Sequence, residues 1–111
     1  ASGRRGRDQR PRRDQRRRRA ELVARRSREL GGVRDAIGEV EAEIVSLEER
    51  VSRDEAAIVE ASVRNDGPAI REASLNLAVA RRRIEELYDR LSALGEELQE
   101  KEREFETAGS T

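Results

Sequence analysis

The chain of 111 residues has no cysteine, no histidine, no methionine and no tryptophan, and only one tyrosine and one phenylalanine. Without Cys or His, thiol nucleophiles, imidazole general bases and the usual zinc sites are excluded. With aromatics at 2% of residues, little bulky apolar material is available to fill a core from several directions. No apolar run approaches the roughly 20 residues that cross a bilayer. The Arg-rich start lacks the apolar stretch of a secretory signal. Proline occurs only at Pro11 and Pro68. The first residue is Ala1 and no Met follows, which suggests an excised domain or a processed product.

What is present in quantity is charge, at 43% of residues. The net charge of zero conceals an asymmetry: residues 1–30 carry +9 and residues 31–111 carry −9. Such segregation is more informative about partners than the total.

The other abundant feature is a heptad. Between Leu30 and Phe105, large apolar residues fall at Leu30, Val33, Ile37, Val40, Ile44, Leu47, Val51 and Ile58, with Asp54 taking one turn. After Asn65-Asp66-Gly67-Pro68 the spacing resumes at Ile70, Ala73, Leu77, Ala80, Ile84, Leu87, Leu91, Leu94 and Leu98. Alternating steps of three and four place these residues on one narrow stripe of a helix, the seam of a coiled coil. If the chain folds back at Asn65/Asp66, the stripes pair layer by layer. Ile58 meets Ala73, Val51 meets Ala80, Leu47 meets Ile84, Ile44 meets Leu87, Val40 meets Leu91, Ile37 meets Leu94 and Val33 meets Leu98. Every pair adds to 131, so one fold point satisfies all of them. The predicted fold class is all-α: a two-helix antiparallel coiled-coil hairpin over 20–106, preceded by a disordered basic N-terminal arm.

The expected boundaries are a flexible arm or linker over 1–19, a helix over 20–63, a tip at 64–67, a helix over 68–104 and a frayed tail over 107–111. Gly3, Gly6, Pro11 and repulsion between like charges argue for disorder in the arm. Gly31-Gly32 is a weak point, because Gly in a helix costs roughly 1 kcal/mol relative to Ala; of a fresh start near Val33 and a continuous helix with a soft spot, the continuous helix is favoured. At the tip, Asp66 suits a helix cap, Gly67 relaxes the turn and Pro68 suits a first-turn position. Asp54, opposite Leu77, reads as a register-setting polar residue or an exposed edge.

No catalytic constellation emerges, and the chain by itself is not expected to be an enzyme or to hold a cofactor or metal. Glu48/Glu49, Glu85/Glu86 and Glu96/Glu97 are adjacent helical carboxylates directed to solvent, whereas acid–base hydrolysis needs two carboxyls converging on a pocket. Two arginine groups bear on binding. Ten Arg between positions 4 and 19 form either a solvated linker or a phosphate-binding arm, and their density favours the arm. Arg12, Arg13, Arg16, Arg17, Arg18 and Arg19 are its candidates. With no aromatic among them, base stacking is absent and binding should be indifferent to sequence. Arg81, Arg82 and Arg83 form a second cluster, read either as cross-helix and i,i+4 ion pairs or as a second phosphate contact. Arg64, Asp66 and Arg71 mark the tip.

The segment Asn65–Leu98, with Asp66-Gly67 at the tip and Leu87-Tyr88-Asp89-Arg90-Leu91-Ser92-Ala93-Leu94 further along, resembles the C-terminal coiled-coil domain of ABC-F ATPases of the Uup type. There the second helix ends in a Leu-Tyr-acidic-Arg-Trp-x-x-Leu signature, with Leu91 standing here for the Trp. Val40-Glu41-Ala42-Glu43-Ile44 and the Arg-rich lead-in are also similar, so the likeness spans roughly 12–105. It implies a cytoplasmic protein whose ATP-binding cassettes lie elsewhere in the same parent chain, and a domain that contacts DNA or ribosomal RNA. A protein-interaction spacer, docking by its acidic flank or tip, is the alternative of another class. Oligomerisation between chains is a third, although the tip sequence favours a monomeric hairpin. A transcript-cleavage factor of the Gre type would need more acids at the tip than Asp66 and Glu72.

Overall fold

The computed structural model describes the backbone of residues 2–110 and the side chains of residues 11–109. Two helices make up the chain, α1 over Ser2–Val63 and α2 over Gly67–Ser110. Among the described residues there is no strand, and the expected helical hairpin is what the chain forms. The chain divides into two compact units: residues 1–34 with 97–111, and residues 35–96.

The turn between the helices, within the second unit, follows from three consecutive residues. Asp66 N–H donates to the Ala61 carbonyl (2.9 Å) and Asn65 N–H donates to the Ser62 carbonyl (3.1 Å), the paired bonds that close a helix C-terminus. This closure needs one left-handed residue, and Asn65 supplies it with φ 57°. Asn tolerates that region better than other side-chain-bearing residues. Gly67, expected to relax the turn, instead belongs to α2 and does not have positive φ. Asp66 also starts the second helix: its Oδ1 accepts from Ala69 N–H (3.1 Å) and its carbonyl from Ile70 N–H (3.1 Å). The expected cap is therefore in place.

The core of each unit is the predicted seam. In residues 35–96 the buried apolar residues are Val40, Ile44, Ala61, Ala73, Ala80, Leu87 and Leu94, with Leu87 only 1% exposed. In the other unit they are Leu30, Val33 and Phe105. Ala61 and Phe105 extend the heptad beyond the residues read from the sequence. Ala61 lies three residues after Ile58, and Phe105 lies seven after Leu98 with Lys101 between them.

Polar bridges beside the seam verify the register. Within residues 35–96, Arg81 Nη2 donates to Glu55 (2.7 Å), and Tyr88 Oη donates to Glu48 (3.1 Å). Within the other unit, Arg34 Nη2 donates to Glu102 (3.3 Å). All three pairs have numbers adding to 136, as the e positions on one flank require for core layers at 131. On the opposite flank Arg83 Nε donates to Glu43 (3.1 Å), a g-to-g pair adding to 126. The two flanks bracket the core value symmetrically, so the layer pairing holds in both units.

Two expectations are corrected. Residues 11–19, expected to be disordered, belong to α1, which passes through Pro11. The rest of the disorder expected for the arm, over 1–10, falls on residues whose side chains lie outside the described ones. The local reason for helix in 11–19 is that Arg and Gln are good helix formers and extend a helix already nucleated by the seam, for which each further residue adds one hydrogen bond. The continuity favoured at Gly31-Gly32 holds, since α1 is one helix there and does not restart at Val33. Second, α2 starts at Gly67 rather than residue 68, and residues 105–109 remain helical where the helix was expected to end at 104 and the tail to fray. Residue 111 lies outside the described residues. Of the two readings of Asp54 the exposed edge falls away, because the residue is half-buried and its Oδ2 is buried without a hydrogen-bond partner. Burying such an oxygen unpaired costs about 1–3 kcal/mol.

Candidate nucleic-acid interface

The two arginine groups have opposite circumstances. Arg81, Arg82 and Arg83 stand on α2 in residues 35–96. Arg81 pairs with Glu55, Arg82 with Glu86 (3.7 Å), and Arg83 with both Glu43 and Glu86 (3.4 Å). The hydrogen bond and the charge of Glu43 raise the Arg83 pKa, so this guanidinium is held still more firmly in its charged form. Each member of the cluster thus faces a carboxylate already, and its charge is largely answered within the hairpin. Glu86 is engaged from its own helix by both Arg82 and Arg83.

The arm differs. Arg12, Arg13, Arg16, Arg17, Arg18 and Arg19 are all exposed, and α1 displays them as a helix. Arg17 has one loose ion pair with Glu21 at 3.8 Å, both side chains largely in solvent. Among the described residues, Arg12, Arg13, Arg16, Arg18 and Arg19 have no ion pair. The position in the register explains this. A core sum of 131 sets the last residue of α2, Ser110, against residue 21, so nothing on α2 reaches the face of α1 before that point. Nearer the seam two basic residues, Arg25 and Lys101, are engaged. Arg25 bonds Glu29 (3.2 Å) and lies 5.9 Å from the centre of the Phe105 ring, while Lys101 reaches Glu29 at 3.8 Å.

The tip residues are occupied by the fold. Asp66 spends its carboxylate on the cap, and Arg64 lies 3.9 Å from Glu60. Arg71 is exposed on the first turns of α2.

Tyr88, on the same flank as Arg81, is half-exposed, and its hydrogen bond to the Glu48 carboxylate raises its pKa by favouring the neutral phenol. A shallow groove beside it is lined by Glu41, Ile44, Val45, Glu48 and Leu91. No group of three or more acidic residues suited to a metal ion occurs among the described residues. Among them, no helix is long and apolar enough to cross a membrane.

No family model, curated protein or solved structure matches the chain.

Proposed function

We propose that the chain is a non-catalytic nucleic-acid-binding domain that contacts DNA or ribosomal RNA phosphates through the arginines of the arm. The single observation that carries this reading is the set of exposed guanidiniums on residues 12–19 of α1, of which, among the described residues, Arg17 alone has an ion pair, a loose one with Glu21. Arginine forks match phosphate oxygens, and every phosphate neutralised releases counterions to solution. The cluster at Arg81–Arg83 is secondary in this account, since a phosphate would have to displace carboxylates that already face those side chains.

The likeness of the tip and of the Leu87–Leu94 segment to ABC-F proteins supports placing the hairpin beside ATP-binding cassettes of one parent chain, in the cytoplasm and as a monomer. A specific observation also favours the second reading, a protein-docking spacer. Val59 and Val63 on α1, and Leu75 and Val79 on α2, are all at least 66% exposed, more apolar surface than a purely solvated hairpin requires.

The deciding experiment is a filter-binding titration at several salt concentrations, using duplex DNA, branched DNA and ribosomal RNA. The intact protein and a variant with Arg16, Arg17, Arg18 and Arg19 all changed to Gln are compared. The variant should lose affinity on the order of 10²-fold at low salt, and its log–log salt slope should shrink by about 3 to 4, near 0.9 per phosphate released. Unchanged affinity would remove the arm from the account.

A further inference from the structure

Outside the seam, α1 carries a second 3-4 stripe. Gly38, Ala42, Val45, Glu49, Ser52, Ala56, Val59 and Val63 follow one another at steps of four and three, all within residues 35–96. Seven of the eight are uncharged in a chain whose residues are 43% charged, and all eight are exposed. At about 100° per residue the stripe is centred about 150° from the seam, on the outer side of α1 that α2 leaves open. Val45, Val59 and Val63 are between 56% and 79% exposed there. The outward positions of a helix that meets only water are ordinarily polar. The back of α2 shows the difference: Leu75 and Val79 begin a similar row, but Arg82, Glu86 and Asp89 continue it. On α1 the row stays apolar or small, Glu49 apart, from Gly38 to Val63, about 38 Å at 1.5 Å per residue. That spacing fits a further helix packed as in a coiled coil.

The edges of the stripe decide what kind of helix it takes. One edge carries Glu41, Glu48 and Glu55 at seven-residue spacing, and the other carries Glu39, Ser46, Arg53 and Glu60. Glu49 interrupts the stripe itself. Among the described residues Glu41 and Glu49 have no ion pair or hydrogen bond, while Glu48 and Glu55 each accept from α2 through one oxygen. A second copy of the chain fits badly. In the antiparallel register that sets Ala42 against Val59 and Val45 against Ala56, Glu41 of each copy lies beside Glu55 of the other. The two Glu48 residues meet on that same edge, and the two Arg53 residues meet on the opposite one. A parallel pair brings the two Glu49 residues face to face. From this layout we infer that the outer face of α1 docks an amphipathic helix of another protein, one whose apolar stripe is bordered by Lys or Arg toward Glu41, Glu48 and Glu55. A further cation of that helix faces Glu49. Charges placed in this way select a partner more than they add affinity. This docking rests on the second reading above and is independent of the arm.

The test uses two synthetic helical peptides long enough to cover the stripe, alike in a Leu/Ala heptad and differing only in Lys or Glu at the charged positions. Isothermal titration calorimetry measures both against the intact protein, against Val45→Glu with Val59→Glu, and against Glu41→Lys with Glu49→Lys. The four side chains are exposed, and circular dichroism with thermal melting confirms that both variants keep the hairpin. The Lys peptide should bind the intact protein at least about tenfold tighter than the Glu peptide, and Glu41→Lys with Glu49→Lys should reverse that preference. The valine changes should weaken the Lys peptide at least about tenfold, through lost apolar burial. Equal binding of the two peptides leaves a docking face but overturns its basic partner. Binding of neither, or an affinity unmoved by the valine changes, overturns docking on this stripe altogether. Sedimentation equilibrium covers the remaining outcome. A dimer of the intact protein that Val45→Glu with Val59→Glu returns to monomer assigns the stripe to a second copy and overturns the inference.

Discussion

Arg12–Arg19 and Arg81–Arg83 are chemically the same kind of segment, yet the register gives them different neighbours. At positions 81 and 83 a second helix runs alongside, and its e and g positions carry Glu55 and Glu43 within 2.7 and 3.1 Å. At 12–19 α2 has already ended, so the same side chains look into solvent. The lesson is that an arginine run in a coiled coil is uninformative until the flank opposite it is known. Exposed ion pairs contribute little stability, with a median of about 0–1 kcal/mol, but they occupy a guanidinium well enough to make it a poor phosphate ligand.

The largest expected effect comes from loosening the seam that holds those carboxylates in position. Leu87 is 1% exposed and packs in the layer of Ile44, one turn from Arg83. Leu87→Ala should destabilise the hairpin by about 2–5 kcal/mol, through lost burial and the cavity left behind. Chemical denaturation measures the change. Affinity for DNA at low temperature should stay within about twofold of the intact protein, because the arm does not depend on that layer. A parallel fall in affinity with the hairpin still folded would show that the two arginine regions are not independent.

Next in size is a gain. Asp54 leaves a buried oxygen unpaired in an otherwise apolar stripe. Asp54→Leu should raise stability by about 1–3 kcal/mol by removing an unsatisfied polar group and completing the heptad. Sedimentation equilibrium on the same variant shows whether Asp54 also suppresses pairing between chains. A mass that stays monomeric limits its role to stability, while a dimer would mean that this carboxylate keeps the hairpin from associating.

These residues also show what the sequence reveals and what it hides. The seam was legible because a 3-4 repeat is long-range information, repeated in every layer and checked by one fold point. Asp66 as a cap was legible because the chemistry of a cap is local. Ala61 was missed because a methyl group is a weak hydrophobic signal, whereas Phe105, read as the end of the heptad stretch, is buried there despite the interruption at Lys101. The turn was half-read: both Asn65 and Gly67 are competent for φ above zero, and only the backbone bonds from residues 65 and 66 to Ser62 and Ala61 determine which uses it. The arm was misjudged over 11–19 because repulsion and Pro11 were weighed against helix, while continuity with a helix already nucleated was not.

A smaller effect separates the two arginine regions directly. Changing Arg81, Arg82 and Arg83 together to Gln should alter duplex affinity by less than about threefold, against roughly 10²-fold for the arm variant. Anisotropy at one low salt concentration is sufficient to see the difference. A loss comparable to that of the arm would mean that phosphates displace Glu43 and Glu55, and that the two runs act as one surface.

The smallest and cleanest expectation concerns the flank itself. Tyr88 is the only tyrosine and the chain has no tryptophan, so the alkaline rise in phenolate absorbance reports one group. Its pKa is raised first by the hydrogen bond to Glu48 and then by that residue's charge. A raised folded value means that the bond stabilises the hairpin below the unfolded tyrosine pKa, about 10, and that this contribution disappears as pH climbs through the folded value. Glu48→Gln, which keeps the shape and removes the charge, should move the Tyr88 titration down toward the ordinary range and flatten the alkaline loss of stability. Since Glu48 and Tyr88 bridge the same flank as Glu55 and Arg81, an unmoved titration would show that carboxylates along this edge do not hold their partners in solution. Arg81 would then be as free for phosphate as the arginines of the arm, and the contrast between the two runs would vanish.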